Sequence, residues 1–133
     1  MNPLHAVVAR RADHRCEYCR APEAVFNFPF EVEHIVPTSA GGGHESANLA
    51  LACRSCNLFK SNHMTATDPE TGAEVSLFSP RDERWSVHFN YDAESGEIRG
   101  LTPTGRATVE ALRVNDPAHL VARDFWVRLR LFP

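Results

Sequence analysis

Glu33 and His34 stand side by side. Asn48 follows His34 by fourteen residues, Asn57 follows Asn48 by nine, and Lys60 comes three residues later. A carboxylate, an imidazole, two carboxamides and an ammonium group thus fall at fixed intervals in one short stretch, which marks a chemical site. Two Cys-x-x-Cys pairs, Cys16/Cys19 and Cys53/Cys56, frame it. A two-residue spacer lets both thiolates of a pair reach one ion, and four thiolates satisfy zinc's tetrahedral preference with no position left for water or substrate. The expected metal here is a structural zinc that ties the first knuckle to the start of a helix.

The elements that must position these groups follow from pattern and turn chemistry. Adjacent side chains of a regular strand point to opposite faces, so Glu33 and His34 enter one pocket only if the strand distorts at its end. Pro37 and the Gly41-Gly42-Gly43 loop are compatible with such a bend, and Asn48 is suited to hold the loop by bonding its backbone groups. Aromatic-rich residues 26–32 are expected as a strand leading into Glu33, residues 48–52 as the returning strand, and residues 54–61 as a helix starting inside the second knuckle. Upstream, Asn2 and Pro3 cap and open a short helix with Leu4, Val7, Val8 and Ala12 on one face. Arg10, Arg11 and Arg15 near its end read as surface charge suited to the helix dipole or, alternatively, as phosphate contacts. His44 and His63 fall in loops and read as surface residues.

Downstream, turn sequences at residues 68–72 and 92–96 predict two hairpins, with strands over 65–67 and 75–78 in the first and over 85–91 and 97–101 in the second. Thr102-Pro103 and Asp116-Pro117 open two closing helices, running to about Val114 and Leu131. Val121, Phe125, Leu129 and Phe132 line one side of the last helix, as core or as the contact of a homodimer. Arg81, Trp85 and His88 read either as tail packing or as substrate contacts.

With 133 residues and 43% hydrophobic content, residues 1–133 are expected as a single domain with a modest core. No apolar run approaches membrane-spanning length or a signal peptide, so the expected setting is soluble and cytoplasmic, where paired cysteines are metal ligands rather than disulfides. The net charge of −3 and a pI near 6.1 argue weakly against a nucleic-acid binder. The distribution softens that: residues 1–20 carry +2, residues 99–133 carry +3 and the middle carries −8, so the two ends either offer arginines to phosphate or carry scattered solvated charge.

Taken together, Cys16-x-x-Cys19, Glu33-His34-x-x-Pro37, Gly-Gly, Asn48-Leu49 and Cys53-x-x-Cys56-Asn57-x-x-Lys60 closely resemble the HNH endonucleases. The resemblance covers roughly residues 10–61. It implies an α+β fold: a ββα-metal module stapled by four-cysteine zinc, preceded by a helix and followed by a C-terminal extension, residues 62–133, of hairpins and two helices packed on it. Segments around Arg81, Trp85, His88 and Gly105-Arg106 also look like the tail of a bacterial subset of that family. The implied activity is metal-dependent hydrolysis of DNA phosphodiester bonds. On this resemblance His34 matches the general base and Asn48 the residue that positions the base loop, while Glu33 and Asn57 match the ligands of the catalytic divalent ion. Glu replaces the usual Asp and Asn the frequent His, which tilts the ion from zinc or nickel toward Mg²⁺ or Mn²⁺. Lys60 and Arg54 are the expected neutralisers of flanking phosphates. The alternative is a zinc-stapled nucleic-acid-binding or protein-interaction module whose nuclease constellation is inert.

Overall fold

Two short strands carry the centre of the molecule, a computed structural model in which residues 2–133 are described. Strand β1 (Glu31–His34) pairs antiparallel with β2 (Leu49–Ala52), placing Glu33 opposite Ala50 and His34 opposite Leu49. All four residues of β2, Leu-Ala-Leu-Ala, are buried. A strand covered on both faces needs no polar alternation, and its alanines let neighbours approach closely. Leu51, with no exposure, contributes about 2 kcal/mol of burial. Helix α1 (His5–Arg11) packs on the hairpin with Val8 and Ala9. Helix α2 (Arg54–Lys60) leaves β2 directly through Cys53, completing a ββα unit.

Beyond it come the hairpin of β3 (Thr65–Thr67) and β4 (Glu74–Ser76), a helical turn α3 (Trp85–His88), the hairpin of β5 (Phe89–Tyr91) and β6 (Ile98–Gly100), and helices α4 (Pro103–Leu112) and α5 (Pro117–Arg128). Thr102 caps α4 by accepting from Gly105 N at 3.0 Å. The buried Asp68 carboxylate receives Arg106 Nε and Nη2 at 2.9 Å each, tying the β3–β4 turn to α4. The extension then closes over the ββα unit. Trp126 of α5 meets Phe26, Trp85 Nε1 donates to Tyr18 O at 2.8 Å, Arg81 pairs with Glu17, and Arg113 sits over the Phe59 ring. Arg81 and Trp85 therefore pack the tail onto the first knuckle, and His88 lies between Thr102 and Glu83.

Several boundaries differ from expectation. Residues 26–30 are not strand, because Pro29 has no N–H to donate, Phe30 N is taken by the Glu23 carboxylate and Phe26 turns to stack edge-on against Phe30. Trp85–His88 is a helical turn where strand was expected. Asn2 does not cap α1: its Oδ1 accepts from Leu4 N in the turn before the helix, which begins only at His5, and α5 stops at Arg128. Among the described residues, no helix is long and apolar enough to cross a membrane.

Candidate functional site

The cysteine cluster is the tightest feature. Cys16, Cys19, Cys53 and Cys56 are all buried, with their sulfurs within 4.8 Å of one another. Cys19 and Cys53 are 3.7 Å apart, close to the roughly 3.8 Å edge that four sulfurs about 2.3 Å from a tetrahedral ion must have. The first knuckle forms because the chain folds back on Cys16. Cys19 N donates to Cys16 Sγ and Arg20 N to Cys16 O, with Arg20 in the left-handed region. Crowding separates the thiols electrically. Hydrogen bonds, first from Cys16, then from Cys19 and Cys56, push Cys53 far down into the thiolate, while Cys19 and Cys56 are pushed up. Four buried sulfurs at this spacing, with no solvent access, fit a structural zinc and leave no place for substrate.

Strand alternation divides the neighbouring pair. β1 keeps its register through His34, so Glu33 turns inward and His34 outward. Glu33 is only 4% exposed. Its Oε1 lies 2.5 Å from Lys60 Nζ and its Oε2 accepts from Tyr18 OH at 2.8 Å. Burial pushes the Glu33 carboxyl up despite the opposing pull of Lys60 and Tyr18. Burial and the Glu33 charge push the Tyr18 phenol up as well, so it stays a donor. Lys60 was expected on the helix surface facing phosphate. It is instead buried, and its ammonium also donates to the carbonyls of Ile35 at 3.0 Å and His34 at 3.3 Å. A lysine with this inward reach neutralises a buried carboxylate and knits α2 to the end of β1.

On the outer face His34 Nε2 and His44 Nδ1 are 2.8 Å apart. The loop that brings His44 there is fixed by Asn48. Its side chain accepts from Val36 N at 2.8 Å and donates to Val36 O and Gly43 O, both at 2.9 Å. Gly41 takes φ +88°, and a Cβ on Gly42 would stand 1.8 Å from Val36 O, so the turn requires glycine at both places. Arg11 anchors the far side, donating to Ser46 O, Ser46 Oγ and Leu49 O. Asn57 is half-buried one turn into α2, and Arg54, at its start, has an 87% exposed side chain 3.8 Å from Glu31.

Tyr18 escaped sequence reasoning, and His44 and Arg11 were read there as surface residues, without the contacts they make here. Tyr18 was hidden between ligand cysteines, and His44 was signalled only by its place in the glycine loop that must close on His34. At Glu33, where the catalytic ion was expected, Oε2 accepts from Tyr18, whereas Oε1 faces the Lys60 ammonium as an ion pair and is otherwise a buried oxygen without a hydrogen-bond donor.

Comparison with known proteins agrees with the geometry of the hairpin, helix and knuckles. The family described as HNH endonuclease matches residues 16–63, from the first ligand cysteine to just beyond α2. No curated protein and no solved structure matches the chain. Residues 16–63, which hold all four cysteines of the cluster, are thus similar to the HNH endonuclease family.

Proposed function

We propose that the module hydrolyses DNA phosphodiester bonds with His34 as general base. The observation that carries this reading is the outward-facing His34 imidazole, held at the end of β1 by a loop that Asn48 fastens in three places. With Nε2–H directed at His44 Nδ1, the Nδ1 of His34 is left to take a proton from water, which then attacks phosphorus in line with the leaving 3′ oxygen. Asn48 keeps the base in place without touching substrate. Arg54, exposed at the helix start with only a loose contact to Glu31, is placed to meet a flanking phosphate. Lys60 acts through Glu33 and the β1 backbone rather than on DNA.

Phosphodiester hydrolysis needs positive charge where negative charge develops, and a divalent ion, Mg²⁺ or Mn²⁺, supplies it in the mechanism the family resemblance implies. Asn57 remains a candidate ligand for such an ion. Glu33 joins it only if the Lys60 pair opens.

The locked Glu33 also favours a second reading, a zinc-stapled module that binds nucleic acid or protein without cutting. Plasmid relaxation separates the two. The purified protein is expected to relax supercoiled plasmid with Mg²⁺ or Mn²⁺, and His34→Ala to slow it by about 10²–10⁴-fold with unchanged zinc content. Wild-type inactivity with every divalent ion, on DNA and on RNA, would leave the second reading standing.

A further inference from the structure

Two imidazole nitrogens converge on the solvent side of the hairpin. His34 Nε2 and His44 Nδ1 are 2.8 Å apart, with their rings inclined at 79°. The approach is built rather than accidental. His34 is fixed in β1, while the backbone just before His44 is pinned by Asn48 on Gly43 O and by the close passage of Gly42 past Val36. Ordering the loop in advance removes the entropic cost that two free surface histidines would meet in closing on one ligand.

We propose that His34 and His44 form an open two-imidazole site for a transition-metal ion, Ni²⁺ or Cu²⁺ foremost, separate from the cysteine cluster. Each neutral ring can carry its proton on the far nitrogen and turn a lone pair inward. Imidazole suits nickel, copper and zinc, whereas magnesium seeks oxygen. At a metal–nitrogen distance of about 2.1 Å, ligands at right angles stand about 3 Å apart and tetrahedral ligands about 3.4 Å apart. The observed 2.8 Å needs the smaller adjustment for a square-planar or octahedral ion, which puts Ni²⁺ and Cu²⁺ ahead of Zn²⁺.

His44 is exposed and His34 half-exposed, so an ion reaches both from solvent and water completes its coordination. Among the described residues only the four cysteines form a cluster of three or more histidine, thiol or carboxylate ligands, so the imidazole site has two protein ligands and exchanges its ion. One consequence rests on the proposed hydrolysis. An ion on Nε2 displaces the His44 contact that orients the base, so Ni²⁺ suppresses any cleavage that Mg²⁺ supports.

Calorimetric titration of Ni²⁺ into the zinc-loaded protein, with released zinc monitored by a chromophoric chelator, tests the site without any activity. One Ni²⁺ per chain is expected with zinc retained. His44→Ala and, separately, His34→Ala are expected to weaken that uptake by more than the roughly 10–100-fold that losing a mere supporting group costs. His44 lies outside the core, so its replacement leaves the fold intact. No uptake by the wild type, uptake only by expulsion of zinc, or uptake undiminished in His44→Ala would each overturn the proposal. Because the readout is binding, its failure leaves the hydrolysis reading standing, and an inactive enzyme that takes up nickel in this way leaves the site standing.

Discussion

Cys19 and Cys53 are 34 residues apart in sequence and 3.7 Å apart in space, whereas Glu33 and His34 are adjacent in sequence and lie on opposite faces of β1. The cysteines sit in knuckles, where the chain reverses and both members of a pair turn the same way. The acid and the imidazole sit in a strand, where neighbours must part unless the backbone bends. Proximity in sequence therefore joins ligands in the first region and separates them in the second. One hairpin thus serves three ends: a buried cysteine cluster, a buried ion pair and an exposed imidazole pair.

If the comparison holds, damage to the cysteines is the most costly. Cys53→Ser is expected to lose metal and fold together, since structural zinc binding contributes on the order of 10 kcal/mol to folding in small zinc domains. Zinc content and thermal melting measured side by side would check it, and a variant that kept both would break the comparison at its firmer end.

The inner face comes next. Lys60→Met strands the buried Glu33 carboxylate, at an expected cost of about 3–5 kcal/mol in denaturant unfolding. That deficit has a pH signature. Burial already raises the Glu33 pKa, and losing Lys60 raises it further. A carboxyl raised in the folded state contributes stability below its unfolded value, lost as pH rises through the folded value. The variant should accordingly lie closer to wild type at pH 5 than at pH 7. A deficit independent of pH would mean that Glu33 is not the group left behind.

The smallest effect is expected at the exposed rim. Arg54→Ala should leave melting unchanged, weaken DNA binding modestly and reduce the slope of log affinity against log salt by about one. Binding isotherms at several salt concentrations would measure this.

The ββα unit was legible because its signals are local. Cys-x-x-Cys spacing, the Gly-rich loop and the switch from an apolar strand to a helix at Cys53 each depend on a few neighbouring residues. The two downstream hairpins and the Thr102 cap were legible for the same reason. The aromatic stretch 26–30 was not, because Phe26 is claimed by Trp126 a hundred residues away and Phe30 N by Glu23. Tertiary partners overrode strand propensity there. Within the site, strand alternation already posed the question of whether Glu33 and His34 could share a pocket. The answer lay in Tyr18 and Lys60, whose approach to Glu33 from the first knuckle and from α2 no spacing rule announces. Lys60 looked like a helix-surface cation because three residues after Asn57 gives no sign that the side chain turns under β1.

The division of the hairpin is tested most directly by following Glu33→Gln and His34→Ala through one pair of assays, thermal melting and plasmid relaxation per folded molecule. Glu33→Gln is expected to lower the melting temperature, because Lys60 loses its buried partner, and to leave cleavage by the folded fraction near wild type. His34→Ala is expected to keep the melting temperature and lose cleavage. A Glu33→Gln protein that melts like wild type but no longer cuts would contradict the division and return Glu33 to the catalytic ion.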